Sequence, residues 1–378
     1  EGSARINGKT TGNSDAARFQ MQLDGNDISF EKFYLGQVRT GLRYDEGHLL
    51  FENLLGTVGS STYAGFLDIN LRDEQMRIAA KSDRLDLFDV AQVLEKRIKI
   101  PVAISGSGVA EIDLQGPLEI NRLTYRASAH FSKVTAAGEN FDQVHVEAVS
   151  TKGEFAFQNT YVSKGDHRVL MSGVGHPNGQ IQFLVQGSDL PLEQSENIAL
   201  LGSNISGLLA FSLQIGGELT RPQLLLKADV TNIIVEEQEL PATQAEMKIN
   251  EKFIEGSASL VGGKLASKFK FPLIDGEDFR LHLRAQDWNF TTLFTLIGAG
   301  PLLSEYQSSL TGTLDLEAER GGAWASSGRG EIQKVLLKRG GLSLENPKPI
   351  ITDVRSGTFS FENFLLQGPD ARIAVTSE

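Results

Sequence analysis

"ISGLLAFSLQIGGELTRPQLLL" occupies Ile205–Leu226, and within it Leu209, Phe211, Leu213 and Ile215 alternate with Ala210, Ser212 and Gln214. A period of two places one set on each face of an extended strand. The stretch therefore predicts a strand with one oily and one wetted face. The same alternation recurs in Phe19/Met21/Leu23, Leu67/Ile69/Leu71, Ala110/Ile112/Leu114, Ala127/Ala129/Phe131, Val144/Val146/Ala148, Ile181/Phe183/Val185, Phe279/Leu281/Leu283 and Leu314/Leu316/Ala318. Turn-forming sequences separate these runs at hairpin distances: "LDGND" (Leu23–Asp27), "YDEGH" (Tyr44–His48), "HPNGQ" (His176–Gln180) and "IDGED" (Ile274–Asp278). The expectation is an all-β chain of antiparallel hairpins.

The alternating runs are organised by an internal repeat. "LLFENLLG" (Leu49–Gly56), "FAFQNTYVS" (Phe155–Ser163) and "FSFENFLLQG" (Phe359–Gly368) share an aromatic, a polar residue and an asparagine; Phe157 follows Phe51 by 106 positions and precedes Phe361 by 204. The degenerate "IEGSASLVGG" (Ile254–Gly263) falls where the intervening copy belongs. A second landmark, led by Asp83, Asp189 and Asp287, keeps the same beat with steps of 106 and 98 residues. A third, the Gly/Ser-led strand closing on a Pro turn, is written at Ser105–Ile120 and again at Ile205–Leu226. The expected division is repeats at 1–102, 103–204 and 205–307, with a partial copy at 308–378. Each full copy holds about six strands. After the aspartate landmark the apolar spacing lengthens toward 3.6 in "LDLFDVAQVLEKRI", "LEQSENIALLG" and "FTTLFTLIGAG", which predicts one short amphipathic helix per repeat.

Composition narrows the function class. The 378 residues are 40% hydrophobic and 22% charged, the balance of a folded protein. A formal charge of −12 argues against nucleic-acid binding, which needs a concentrated basic surface. The short basic runs "EKRIK" (Glu95–Lys99) and "LKRGG" (Leu337–Gly341) read as solvated edges or helix ends. With no cysteine there is neither a disulfide framework nor a thiolate metal site. No apolar run is long enough to cross a bilayer as a helix, and the start at Glu1 leads us to expect a fragment whose leader or anchor lies outside it.

Motifs of catalysis are missing: there is no G-x-S-x-G elbow, P-loop or H-E-x-x-H. "GSG" at Gly106–Gly108 lacks a following helix and lysine and reads as a strand entry; "DGND" at Asp24–Asp27 lacks the calcium-loop ligand series and reads as a turn. The six histidines (His48, His130, His145, His167, His176, His282) stand singly, and His167 and His176 approach each other only across a hairpin. No catalytic residue, metal ligand or cofactor site is expected.

The cadence "LLFENLLG", "YAGFLDINL", "KSDRLDLFDV", and then "FAFQNTYVS", "NGQIQFLVQ", "GSDLPLEQ", resembles the AsmA-like family of bacterial envelope proteins, most of all its TamB branch. The resemblance covers nearly the whole chain and is least close in the third copy, at "IEGSAS". It implies an elongated antiparallel sheet curled into a continuous hydrophobic groove, which some twenty strands would extend over roughly 90–100 Å. The implied function is a lipid-transfer conduit between inner and outer membranes, or the related outer-membrane assembly scaffold. The chain would be periplasmic and anchored in the inner membrane by a segment outside it. The implied partners are a phospholipid or other acyl-chain lipid, the two membranes and an outer-membrane β-barrel. The groove would be lined by Phe51, Leu67, Ile69, Phe131, Phe155, Phe157, Ile181, Phe183, Phe211, Leu213, Leu281, Leu283, Leu314, Phe359 and Phe361.

Alternation alone also fits a structural or adhesive array of closed, tandem β-sandwiches with no lipid cargo. Two features favour the groove: no Pro/Ser-rich linker separates the copies, and a helix that recurs in each repeat has no place in a sandwich.

Overall fold

The computed structural model describes residues 2–12, 18–30, 33–94, 103–119, 122–151, 153–202, 204–274, 278–291, 305–318, 326–356 and 358–375. Among the described residues it is all-β, 77% strand and 5% helix, antiparallel and not closed into a barrel. The chain divides into two compact units, Glu1–Val185 and Gln186–Glu378.

Unit 1 contains β1 (Ser3–Thr11), β2 (Arg18–Phe30), β3 (Phe33–Asp45), β4 (His48–Val58), β5 (Ser61–Asn70), β6 (Gln75–Asp86), α1 (Leu87–Leu94), β7 (Ile104–Pro117), β8 (Thr124–Ala136), β9 (Glu139–Thr151), β10 (Glu154–Lys164) and β11 (His167–Gly175). Each strand pairs antiparallel with the next, from β1 to β11. A meander of this kind keeps every strand beside its sequence neighbour, without the Greek-key connections of an immunoglobulin-like sandwich among the described residues of this unit. "YDEGH" makes the predicted tight turn between β3 and β4, with Glu46 and Gly47 both left-handed at φ 47° and 91°. "HPNGQ" also turns, with Gly179 N–H donating to His176 O at 2.9 Å.

β12 (Gln180–Pro191) spans the point at which the two units divide. Unit 2 continues with α2 (Glu196–Ala199), β13 (Ile205–Glu218), β14 (Arg221–Val235), β15 (Gln238–Leu240), β16 (Thr243–Ile249), β17 (Phe253–Leu260), β18 (Leu265–Pro272), β19 (Phe279–Trp288), β20 (Gln307–Ala318), β21 (Ser327–Arg339), β22 (Leu342–Glu345), β23 (Ile350–Arg355), β24 (Thr358–Glu362), β25 (Phe364–Gln367) and β26 (Arg372–Val375). Its ladder runs β13–β14–β16–β17–β18–β19–β20–β21, with β15 a short hairpin on the end of β14.

At β21 the ladder forks. Gly328–Ile332 pair with β23, and Leu336–Arg339 pair with β22. Asn346 holds the fork: its Oδ1 accepts from Val335 N at 2.6 Å and its Nδ2 donates to Gln333 O at 3.1 Å, so backbone groups between the two branches are satisfied. Between the branches lies a closed core of Val335, Leu344, Ile350 and Leu366, with Phe361 and Phe364 packed against it.

The helices expected at the first two aspartate landmarks are present as α1 and as α2 preceded by a single 3-10 turn at Leu192–Gln194. Ser195 caps α2, its Oγ accepting from Ile198 N at 3.2 Å. The third, "FTTLFTLIGAG" after its first two residues, and most of "IDGED" lie outside the described residues, as does "EKRIK".

The repeated asparagine has a definite conformation. Asn53, Asn159 and Asn363 are left-handed, with φ of 53°, 47° and 58°; at the first two the pairing register shifts, between Phe51 and Leu54 and between Phe157 and Thr160. An extra residue of this kind is a β-bulge, and asparagine is the side chain that best tolerates left-handed backbone after glycine. The degenerate copy, which has no asparagine, has no such bulge: β17 pairs without a register shift on both sides, and the left-handed residue there, Val261 (φ 52°), lies in the turn after the strand. The aspartate landmark behaves alike, with left-handed Asp189 and Asp287 (φ 53° and 45°) and a register shift across Asp83. "LDGND" is not the turn that its composition predicts. It lies inside β2, where left-handed Asp27 (φ 55°) occupies another bulge; Asp and Gly serve a bulge and a turn for the same conformational reason. Lys133 in β8 and Asn232 in β14 repeat it six and twelve strands on.

Threonine hydroxyls satisfy backbone groups that the bulges release. Thr40, fully buried, donates to Glu52 O at 3.0 Å, Thr160 Oγ1 accepts from Glu147 N at 3.1 Å, and Thr311 Oγ1 accepts from Asp287 N at 3.0 Å. We expect Asn53→Ala to cost about 1 kcal/mol and Asn53→Gly almost nothing, since only alanine is strained at positive φ; chemical denaturation of the two variants checks this.

Candidate functional site

The register joins the apolar residues of successive strands into rows. In unit 1, Met21 lies opposite Leu42, Leu42 opposite Phe51, Phe51 opposite Leu67 and Leu67 opposite Ile78, and the row passes on to Leu114 and Tyr125. In unit 2, Leu213 faces Leu226, Phe211 faces Ala228, Leu281 faces Leu316 and Leu283 faces Leu314. These side chains are half-buried: most of the face is neither sealed by another layer nor fully wet. Phe131 and Ile181 are buried, and Phe359 is exposed. Phe361 belongs to the closed core at the fork, apart from the open rows.

Phe155, Phe157 and Phe183 form an aromatic patch in unit 1, with ring centroids 5.6–6.1 Å apart. The rings need flat ground beneath them. Phe157 lies opposite Gly173, where an added Cβ would come within 2.5 Å of the Phe183 ring.

The opposite face is charged and paired across strands. Arg77 Nη2 reaches Asp113 Oδ2 at 3.2 Å, and His282 Nδ1 meets Asp315 Oδ1 at 2.5 Å. Such exposed pairs contribute about 0–1 kcal/mol each. A hollow of about 1010 Å³ lies in unit 2, lined mostly by charged residues such as Lys248, Glu255, Lys270, Arg280 and Glu317 and bordered also by Leu281 and Leu316. Of the residues expected to line a groove, Leu281 borders it; the charged lining comes together only through the cross-strand register.

His130 and His145 are neighbours across β8–β9, with ring centroids 6.1 Å apart, and His145 Nε2 lies 3.2 Å from Glu147 Oε1. Hydrogen bonds from Asn159 and then His145 hold the Glu147 carboxyl below the usual carboxylate range. No group of three or more metal-ligating side chains converges among the described residues.

α1 supplies a buried carboxylate, Asp89, which was missed in the sequence because it looks like a helix-surface acid. Asp89 Oδ2 accepts from Ser60 N and Ser61 N, both at 2.9 Å, and from Ser61 Oγ at 2.7 Å. Gly59 at the β4–β5 turn is left-handed (φ 56°), and a Cβ there would lie 2.1 Å from Asp89 Oδ1. Burial alone would raise the pKa of Asp89, but the hydrogen bonds from Ser61 and Ser60 outweigh it and hold the group below its ordinary value of 3.8. A lowered folded value means the contribution to stability is complete above the ordinary pKa and is lost as pH falls through the folded one. We expect acid unfolding of unit 1 to begin below that ordinary value and to lose this component in Asp89→Ala. That variant should be about 2–3 kcal/mol less stable at pH 7, from the stranded N–H donors.

Comparison with protein-family models, with curated proteins and with solved structures finds no match. The class that fold and site define is an open, all-β antiparallel sheet protein with one half-buried apolar face and one charged face.

Proposed function

We propose that the chain is part of a lipid-transfer conduit, in which the apolar face of repeated β-groove units carries acyl chains across an aqueous space. The observation that carries this reading is the half-buried state of the apolar rows, from Phe51 and Leu67 in unit 1 to Phe211 and Leu283 in unit 2. A structural sheet normally seals such a face against a second layer. An acyl chain is disfavoured in water by about 0.8 kcal/mol per methylene, so a continuous apolar row lowers the barrier to its passage by that order.

The bulges support a repeating unit of six strands, with left-handed residues at Asp27, Lys133 and Asn232 and again at Asn53 and Asn159. Each bulge bends its strand and increases local twist, which is how a long open sheet is curved into a groove. The AsmA-like cadence of the sequence supports the envelope setting: the periplasm, a partner β-barrel in the outer membrane and an inner-membrane anchor supplied from outside this chain. The related assembly role uses the same surface.

A photoreactive residue placed at Phe51 or Leu67 is expected to crosslink phospholipid in cells, and one at Gln158, on the opposite face, is not. Equal labelling of both faces, or none, contradicts the proposal.

A further inference from the structure

α1 lies across the strands. It touches β3, β6 and β7, and Asp89 binds the β4–β5 turn between them. Eight helical residues are about 12 Å long, while β3 and β7 stand four strand spacings, about 19 Å, apart. The helix can reach both only if its axis runs athwart the sheet.

It lies on the apolar side. Val38, Val58, Ser61, Ser82 and Val134 share the register of the apolar rows and are buried at this end of their strands. Leu87 and Val134 both lie against Gly106 of β7, where an added Cβ would meet them at 3.1 and 2.9 Å. Farther along the same strands Phe51, Leu67, Ile69 and Ile78 are only half-buried. The apolar face is therefore covered where α1 crosses it and open beyond.

The anchorage is mainly polar. Of the described α1 side chains only Asp89 is buried, at 5% exposure, while Leu87, Val90, Ala91 and Val93 are half-buried and Phe88 is 58% exposed. A permanently docked amphipathic helix buries its apolar stripe. Here two carboxylates and two hydroxyls hold the segment: Ser61 Oγ donates to Asp89 and accepts from Asp86 N at 2.8 Å, and Ser60 Oγ donates to Asp86 Oδ2 and to Asp89 Oδ2, both at 3.2 Å.

We propose that α1 is a displaceable cover over one end of the apolar face, latched to the β4–β5 turn by Asp89 and Ser61, whose release opens that face to cargo. The cargo being an acyl chain rests on the function proposed above; the cover itself does not.

Hydrogen exchange on the full chain tests the cover. In Asp89→Asn and in the milder Ser61→Ala, the amides of 87–94 are expected to exchange faster by about tenfold or more, the effect of losing one strong hydrogen bond from a local opening equilibrium. The amides of β9–β11 should remain protected and lose less protection than those of α1. Unchanged exchange of α1 in both variants overturns the proposal, and so does loss of protection throughout unit 1 in both, which would make α1 part of an indivisible core. A second readout, the uptake rate of the fluorescent fatty acid parinaric acid, should rise in the same variants. Faster helix exchange with no parinaric acid bound in any form establishes the cover and rejects the acyl-chain reading.

Discussion

Phe211→Arg is expected to leave the protein folded and to abolish acyl-lipid binding. Phe211 sits in mid-strand on β13, half-buried and opposite Ala228, with an open apolar row around it. An arginine there loses part of an aromatic side chain's burial, about 1–2 kcal/mol, while its long stem extends toward water. The stability loss is therefore modest. The effect on cargo is large because a fixed charge in an apolar path raises the barrier at one point, and a path in series is limited by its worst segment. Phe183→Arg, in the aromatic patch with Phe155 and Phe157, should behave alike. Thermal melts beside a lipid-binding assay check both; unfolding of both variants contradicts an open face, because burying an unpaired charge in a closed core costs several kcal/mol.

The second large effect belongs to the fork. Ile350 is 0% exposed and Leu344 2% exposed, inside a core sealed by both branches of the ladder. Ile350→Ala is expected to destabilise unit 2 by about 3–4 kcal/mol, within the range for a large aliphatic side chain removed from a packed core. The same truncation at half-buried Leu283 should cost about 1 kcal/mol, since less surface returns to water and no enclosed cavity remains. Denaturant unfolding of the pair measures the contrast, and equal losses would show that the apolar rows are as closed as the fork.

Much of the fold was legible because a period of two is a strong signal over long strands. The alternation at Leu209–Ile215 and at Ala110–Leu114 falls within β13 and β7. The turn at Glu46–Gly47 was legible because only left-handed backbone suits a two-residue hairpin. The repeated Phe-Glu-Asn was visible as a repeat, but its physical meaning was not. A bulge inserts one residue and breaks the very period used to find strands, and its Asn or Asp is the residue a turn would also choose. "LDGND" was misread for that reason.

The candidate site was legible as a set of apolar positions and illegible in its closure. Phe361 and Phe51 share a motif, yet Phe361 packs into a closed core and Phe51 lies on an open row. That difference comes from the fork at β21, held by Asn346 through two backbone contacts that no local pattern encodes. Asp89 was hidden likewise, because its serine partners stand 28 and 29 residues earlier in the chain.

Native mass spectrometry of the protein purified without detergent tests the central claim most directly. The account requires bound acyl lipid, seen as discrete mass increments on the wild-type chain and lost in Phe211→Arg while that variant remains folded. A wild-type chain that stays at its bare mass after incubation with phospholipid vesicles would contradict it.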